Sequence, residues 1–140
     1  MIVQELMTTR PVSVSLDTPI FQAWELLRDL DVRHLPVVNQ DRELVGILSD
    51  RDLAVAPLPP LETELLGPDR QRLDQPVSTI MSTDVLAVEA EDDVRDAVDL
   101  MIENKVGAVP VVDPEQHVVG IISYLDVLRA LGPSLVDMTS

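Results

Sequence analysis

The chain contains the heptapeptide Gly46-Ile47-Leu48-Ser49-Asp50-Arg51-Asp52, and its pattern recurs 74 residues later as Gly120-Ile121-Ile122-Ser123-Tyr124-Leu125-Asp126. Pro36-Val37-Val38 recurs at the same distance as Pro110-Val111-Val112. An ungapped alignment of residues 3–53 with residues 77–127 gives identical residues at 15 of 51 positions. Because self-similarity at one fixed offset indicates a repeated structural unit, the sequence predicts two copies of one unit, repeat 1 and repeat 2.

The residue pattern of repeat 1 predicts the element order β-α-β-β-α. The alternating stretch Val12-Ser13-Val14 predicts a short strand, and Thr18-Pro19 predicts a helix N-cap followed by proline at the first helical position. Two apolar runs, Leu35–Val38 and Leu44–Leu48, are joined by a short polar turn and predict a buried hairpin. A second helix follows, and repeat 2 has the same order, so the predicted fold class is α/β (α+β).

The repeats predict two domains joined by a linker. Domain 1 is expected at residues 1–66 with its core at 7–56, the linker at 67–76, and domain 2 at residues 77–137 with its core at 81–131. The proline-rich connection is expected to hold a short helix around Leu61–Leu66. Since a unit of about 50 residues buries too little surface alone, we expect the repeats to pack as a pseudo-twofold pair around one core.

Composition disfavours several classes of partner. Ten basic against 25 acidic residues give a net charge of −15 and a pI near 4.2, and such a surface repels nucleic-acid phosphates and anionic lipid. No apolar run approaches the ~18–20 residues that span a bilayer, and the first residues lack the pattern of a signal peptide. We therefore expect a cytoplasmic protein without nucleic-acid or membrane partners.

The residue types also disfavour catalysis. The chain has no cysteine, and its two histidines, His34 and His117, lie at non-equivalent positions of the repeats. No triad spacing or nucleophile elbow is present. The acid-rich stretch 84–103 lacks the glycine and ligand spacing of a calcium loop, so we interpret it as a solvated helix face and predict no metal site. A small phosphotransfer or hydrolytic enzyme remains the catalytic alternative.

The repeated Ser-x-x-Asp supports two interpretations. Ser49 with Asp52, and Ser123 with Asp126, have the spacing of a capping box that satisfies the amides of a helix start. A carboxylate at such a position can also accept two hydrogen bonds from a vicinal diol such as the 2′- and 3′-hydroxyls of ribose. Capping and ligand binding can alternate at one pair, so both interpretations stay open.

Arg33-His34 supplies positive charge at the entry of an apolar strand. Because burying charge there is costly, the pair favours an anionic ligand such as phosphate, for which arginine is a bidentate donor. The alternative is an ion pair between Arg33 and Asp31 or Asp52. Repeat 2 has Gly107-Ala108 at these positions, so we expect the two repeats to differ in the ligand charge that they accept.

Both repeats resemble the cystathionine-β-synthase (CBS) domain family. The resemblance covers residues 3–66 and 77–131 and depends on three motifs, each present twice: Val-x-x-Leu/Ile-Met-Thr/Ser, Pro-Val-Val, and Val-Gly-Ile-Leu/Ile-Ser-x-x-Asp. It implies that two CBS repeats pack as a pseudo-twofold Bateman module with two clefts between them. Modules of this kind typically bind adenosyl compounds such as AMP, ADP, ATP, S-adenosylmethionine or NAD.

The resemblance also implies roles for particular residues. Asp52 and Asp126 would hold ribose hydroxyls, and Ser49 and Ser123 would contact ribose or phosphate. Arg33 would face phosphate and, because the clefts lie between the repeats, could serve the Asp126 cleft as well as its own. The second cleft would be empty or would take a less charged ligand. Adenine would be bordered by Thr8, Ser82 and the backbone around Val12 and Leu86. The complete set of predicted ligand-binding residues is Thr8, Val12, Arg33, His34, Ser49, Arg51, Asp52, Ser82, Leu86, Gly107, Ala108, Ser123 and Asp126.

The implied function is non-catalytic. We expect a regulatory or energy-sensing homodimer that binds AMP, ADP or ATP, with Mg²⁺ as an optional companion of the nucleotide, and that signals to an unknown target protein. The ligand would be regulatory rather than a cofactor. The alternative is a structural dimerisation module whose Ser-x-x-Asp motifs serve only as helix caps.

Overall fold

The computed structural model describes residues 1–54 and 73–139. The chain forms two compact units: residues 12–85, which we name the Asp52 unit, and residues 1–11 together with 86–140, which we name the Asp126 unit. The described α-helices are α1 (Val3–Leu6), α2 (Ile20–Asp29), α3 (Asp50–Ala54), α4 (Val94–Asn104) and α5 (Tyr124–Thr139). The strands are β1 (Thr8–Thr9), β2 (Val14–Ser15), β3 (His34–Val38), β4 (Leu44–Ser49), β5 (Val88–Glu89), β6 (Ala108–Val112) and β7 (Val118–Ser123).

Each unit is built on an antiparallel hairpin. In the Asp52 unit the strand order is β2-β3-β4, with β2 parallel to β3 and β3 antiparallel to β4. In the Asp126 unit the order is β1-β7-β6-β5, with the same parallel and antiparallel pairings and with β1 added antiparallel to β7. The predicted α/β class, the order β-α-β-β-α in each repeat and both hairpins are confirmed.

One hydrophobic core lies in each unit, between the sheet and an amphipathic helix. Helix α2 contributes Ile20, Ala23 and Leu27 at helical spacing, and α4 contributes Ala97 and Met101 one turn apart. The buried core of the Asp52 unit contains Val14, Ile20, Ala23, Leu27, Leu35, Val37, Leu48, Leu73 and Val77. That of the Asp126 unit contains Val3, Val88, Ala97, Met101, Val109, Val111 and Ile122.

The opening segment of each repeat packs into the unit formed by the other repeat. The amide of Val3 donates to Asp92 O (2.8 Å), and Val3 is fully buried in the core of the Asp126 unit. At the equivalent position of repeat 2, the amide of Val77 donates to Thr18 O (2.8 Å), and Val77 is buried in the core of the Asp52 unit. The compact units are therefore not consecutive halves of the chain, and the domain limits predicted from the sequence stay a prediction about the repeats.

The glycine of the repeated Val-Gly-Ile motif allows this close crossing. A Cβ on Gly46 would lie 2.5 Å from Met81 Sδ and 3.1 Å from Ser82 O, and one on Gly120 would lie 2.5 Å from Met7 Sδ and 3.0 Å from Thr8 O. A methionine side chain can shift, whereas the backbone carbonyls of Ser82 and Thr8 belong to segments paired with β4 and β7 and are less free to move. The two glycines therefore fit where the opening segments cross β4 and β7.

One predicted strand is displaced and one predicted cap is wrong. The short strand expected at Val12-Ser13-Val14 is present, but it lies at Val14–Ser15. Thr18 does not cap α2: Pro19 occupies the N-cap position, and the Thr18 hydroxyl accepts a hydrogen bond from the amide of Ser15 (3.0 Å). Thr18 therefore closes the turn between β2 and α2, as Asp92 does for β5, where its carboxylate accepts from the amide of Glu89 (2.8 Å).

Parts of the predicted organisation lie outside the described residues. Residues 55–72 include the predicted helix around Leu61–Leu66 and most of the predicted linker 67–76. The single core predicted for the two repeats is wrong, because each unit has a core of its own. The predicted pseudo-twofold arrangement of the repeats stays a prediction. Among the described helices, none combines the length and the apolar character needed to span a membrane.

Candidate functional site

A capping box joins the end of β4 to the start of α3. The amide of Ser49 donates to Asp52 Oδ2 (2.8 Å), and the amide of Asp52 donates to Ser49 Oγ (3.2 Å). Asp52 is half-buried. This reciprocal pair is the arrangement that the Ser-x-x-Asp spacing predicts.

The same box joins the end of β7 to the start of α5. The amide of Ser123 donates to Asp126 Oδ2 (2.8 Å), and the amide of Asp126 donates to Ser123 Oγ (3.3 Å). The Ser123 hydroxyl also lies 3.1 Å from Asp126 Oδ2. Within the described parts of the chain, every hydrogen bond to Asp52 or Asp126 reaches Oδ2, so Oδ1 of both carboxylates has acceptor capacity left for a ligand.

The strand pairing brings the basic pair of repeat 1 to its box. His34, the first residue of β3, lies directly opposite Ser49. The amide of Asp50 donates to Arg33 O (3.0 Å), which holds the backbone of Arg33 beside the first residue of α3. Arg33 is exposed and His34 is half-buried. His34 lies near enough to Arg33 and Asp52 for their charges to act on its ring.

The equivalent pairing in the Asp126 unit carries no basic side chain. Ala108, the first residue of β6, lies opposite Ser123. The amide of Tyr124 donates to Gly107 O at 3.0 Å, which repeats the Asp50–Arg33 bond in the other unit. The backbones therefore correspond, whereas the side chains facing the two boxes differ in charge.

The predicted adenine-facing residues divide between the two units. Ser82 pairs with Ile47, two residues before the Ser49 box, through the hydrogen bonds Ser82 N–H to Ile47 O (2.9 Å) and Ile47 N–H to Ser82 O (3.1 Å). Thr8 pairs with Ile121 in the same relation to the Ser123 box. Both are exposed, so each unit carries a hydroxyl group on the strand edge next to its box.

All thirteen predicted site residues are described. The Asp52 unit contains Val12, Arg33, His34, Ser49, Arg51, Asp52 and Ser82, and the Asp126 unit contains Thr8, Leu86, Gly107, Ala108, Ser123 and Asp126. Hydrogen bonds or strand pairing join most of them to the two boxes. Val12 and Leu86 precede β2 and β5, and their contact with adenine stays a prediction.

The environment of His34 lowers its pKa from the ordinary value of 6.5, mainly because burial penalises the charged ring. The carboxylates of Asp50 and Asp52 oppose this shift, and the guanidinium groups of Arg33 and Arg51 reinforce it. His34 is therefore neutral near pH 7, and a nearby phosphate would favour its protonated form.

The stability of the folded protein should decrease as the pH falls below 6.5, because the unfolded chain then binds a proton at His34 that the folded chain resists. The contribution of neutral His34 to the free energy of unfolding is present above pH 6.5 and is lost as the pH falls toward the lower pKa of His34 in the folded state. Urea unfolding at pH 7.5, 6.5 and 5.5 measures it. In His34→Ala, which introduces the residue found at the equivalent position Ala108, the free energy of unfolding should decrease less between pH 7.5 and 5.5. In His117→Ala it should decrease as much as in the unsubstituted protein. An equal decrease in His34→Ala would show that His34 is not the group responsible.

One cluster of ligating side chains was missed by the sequence analysis. Asp113, Glu115 and His117 lie on the turn between β6 and β7, with one ligating atom from each within 4.8 Å of the others. Asp113 Oδ1 accepts from the amides of Glu115 and His117, both at 2.9 Å, and these backbone hydrogen bonds lower the pKa of Asp113. Asn39 Oδ1 makes the same two bonds on the turn of repeat 1, so the arrangement is accounted for by turn closure. The x-Asp-x-Glu-x-His alternation was the available signal.

The repeated fold and the repeated capping box define a protein built of two copies of one type of domain. The chain belongs to the CBS domain family, whose model matches residues 3–58 and 77–133. It is 35% identical over 124 residues to the CBS domain-containing protein YhcV of Bacillus subtilis, covering 89% of this chain and 81% of that protein.

Solved CBS domain pairs have the same fold. The CBS domain pair of protein MJ0100, in complex with 5′-methylthioadenosine and S-adenosyl-L-methionine, matches with a TM-score of 0.80 at 25% identity, over 96% of this chain and 98% of that one. CBSX2 in complex with AMP matches with a TM-score of 0.75 at 28% identity, over 99% and 98%. Some relatives are much longer: the chain spans only 23% of a homoserine O-acetyltransferase of Methanocorpusculum labreanum, to which it is 33% identical.

Proposed function

We propose that this protein is a non-catalytic regulatory module that binds an adenosyl ligand, with AMP, ADP or ATP bound at the Asp52 unit. The observation that carries the proposal is the hydrogen bonding of the two carboxylates, Asp52 and Asp126. Each uses Oδ2 to cap a helix and keeps Oδ1 available to a ligand.

The residues around Asp52 match the parts of a nucleotide. A carboxylate oxygen accepts hydrogen bonds from the 2′- and 3′-hydroxyls of ribose, and hydrogen bonds to a charged group are the stronger ones. Arg33 lies beside the box through the bond from Asp50 N–H to its carbonyl, and a guanidinium group binds phosphate through two parallel N–H donors. Ser82, on the strand edge beside the box, would border adenine.

The comparisons support the ligand class. One similar CBS domain pair is solved with 5′-methylthioadenosine and S-adenosyl-L-methionine, and another similar protein is solved with AMP. These ligands share the adenosine group and differ at the 5′ position. The support is therefore strongest for adenosine recognition. The choice of AMP, ADP or ATP comes from the positive charge of Arg33 and from His34, whose protonated form a nearby phosphate would favour.

Regulation would follow from linkage. A ligand that binds one conformation more tightly than another shifts the population toward it, by no more than the difference in binding free energy. We propose that the protein acts as a cytoplasmic homodimer and that an unidentified target protein recognises the ligand-bound conformation. Mg²⁺ would accompany the nucleotide when it carries two or three phosphates.

The thermal denaturation of the purified protein tests this function. AMP, ADP, ATP, S-adenosylmethionine and NAD are added separately, the nucleotides with and without Mg²⁺. A ligand at about 100 times its dissociation constant should stabilise the protein by about 2.7 kcal/mol, which raises Tm by several degrees at this size. No shift with any ligand, in a protein that is still a dimer, would favour the structural dimerisation module. Release of AMP, ADP or phosphate after long incubation with ATP and Mg²⁺ would favour the enzyme.

A further inference from the structure

We infer that the Asp126 unit binds an adenosine compound without a 5′-phosphate, whereas the Asp52 unit binds a phosphorylated one. This inference rests on the proposed function and assigns a different ligand class to each unit. Its starting point is the internal repeat, which places two boxes of the same geometry in one chain and surrounds them with different side chains.

The backbone hydrogen bonds around the two boxes are alike. The amide that follows the box serine donates to the strand-entry carbonyl at 3.0 Å in both units, from Asp50 to Arg33 and from Tyr124 to Gly107. The serine amide donates to the aspartate at 2.8 Å in both. A ribose held by the free Oδ1 would therefore have the same position relative to the backbone in both units.

The side chains around the boxes differ systematically in charge. The Asp52 unit has two cations, Arg33 and Arg51, near the neutral His34, together with the acid Asp50. The equivalent residues of the Asp126 unit are all uncharged (Gly107, Leu125, Ala108 and Tyr124), so the Asp126 box has no counterpart of the two guanidinium groups.

Apolar side chains occupy the positions of the Asp126 unit that correspond to charged residues in the Asp52 unit. Ala108 is 4% exposed, opposite Ser123, while Tyr124 and Leu125 are each 39% exposed at the start of α5. An uncharged 5′ substituent could pack against these side chains and remove apolar surface from water.

Electrostatics then separates the two ligand classes. A nucleoside monophosphate carries a charge of about −1.5 to −2 at neutral pH. In the Asp126 unit that charge would lie near the Asp126 carboxylate without counterparts of Arg33 and Arg51, in a chain whose net charge is −15. Like charges within a few ångströms destabilise binding, whereas adenosine, which lacks only the phosphate, avoids this repulsion.

Isothermal titration calorimetry with AMP and adenosine tests the inference in two single-site proteins. Asp52→Ala retains the box of the Asp126 unit, and Asp126→Ala retains that of the Asp52 unit. We expect adenosine to bind Asp52→Ala at least about 10-fold more tightly than AMP does, and the order to reverse in Asp126→Ala; tenfold corresponds to about 1.4 kcal/mol. The same preference in both proteins would overturn the inference.

Grafting the charge provides the matched control. In the Asp52→Ala background, Gly107→Arg should raise the affinity for AMP at least about 5-fold and leave that for adenosine unchanged, as one added cation near phosphate predicts. No described glycine has a positive φ, so the backbone conformation at Gly107 is one that an arginine can adopt. Ala108→His is avoided because Ala108 is buried. An unchanged AMP affinity in the folded Gly107→Arg protein would contradict the role of charge.

The outcomes separate this inference from the proposed function. If neither AMP nor adenosine binds the unsubstituted protein, the proposed function itself fails. If AMP binds the Asp126 unit as tightly as it binds the Asp52 unit, the proposed function stands and the difference between the two units is wrong.

Discussion

Replacing Val3 with aspartate should destabilise the unit formed by repeat 2, although Val3 belongs to repeat 1. Val3 is 0% exposed and packs in the same core as Val109 and Ile122. An uncompensated charge in such a core lowers the free energy of unfolding by about 3–5 kcal/mol. For a small domain this is a large part of the total stability, so we expect the Asp126 unit to unfold first.

Amide hydrogen exchange at two equivalent core residues measures this effect. Ile122 reports on the core of the Asp126 unit, and Leu48 reports on the core of the Asp52 unit. In Val3→Asp the protection of Ile122 should fall more than that of Leu48. Gln4→Asp is the control, since it adds the same charge at an exposed neighbouring position. A greater loss of protection at Leu48 would show that the opening segment packs on its own repeat.

The exchange of opening segments could not be predicted from the sequence. Val3 and Val77 start the same Val-x-x-Leu/Ile-Met pattern, and both hairpins present a glycine where that pattern crosses. Either core can therefore accept either segment, and apolar periodicity does not distinguish a partner within the repeat from one in the other repeat. The hairpins were predictable because a short polar turn joins the two apolar runs of each repeat, so that the two runs can pair directly with each other.

The helix starts show the limit of local patterns. Thr18 has a side chain suited to an N-cap, but the turn before the helix uses its hydroxyl, and the helix begins one residue later than predicted. The sequence does not show which of two neighbouring amides a hydroxyl will reach. At the candidate site the Ser-x-x-Asp spacing predicted the capping box. That each aspartate accepts the serine amide through Oδ2 and not through Oδ1 could be seen only in the structure.

Replacing Asp52 with alanine should weaken AMP binding by about 10- to 100-fold, provided that the carboxylate holds the ribose. The loss of hydrogen bonds to a charged group costs about 1.5–3 kcal/mol, and 1.4 kcal/mol corresponds to tenfold. The same substitution removes half of the capping box and should lower the stability of the folded protein by only about 1 kcal/mol. The variant should therefore remain folded while its affinity for AMP falls.

Asp50→Ala is the matched control for this substitution. Asp50 is exposed and lies two residues before Asp52, and its side chain takes no part in the box. Both substitutions remove one negative charge from α3, so an effect of net charge on a nucleotide would be common to both. Only Asp52→Ala should lose affinity.

The most direct test of the account is calorimetric titration of AMP into the unsubstituted protein, Asp52→Ala and Asp50→Ala at about 150 mM salt. We predict saturable binding to the unsubstituted protein and to Asp50→Ala, and binding at least about tenfold weaker to Asp52→Ala, as loss of charged hydrogen bonds requires. Equal affinity of all three folded proteins would contradict the claim that the free oxygen of Asp52 is a ligand contact, and would leave the box as a helix cap.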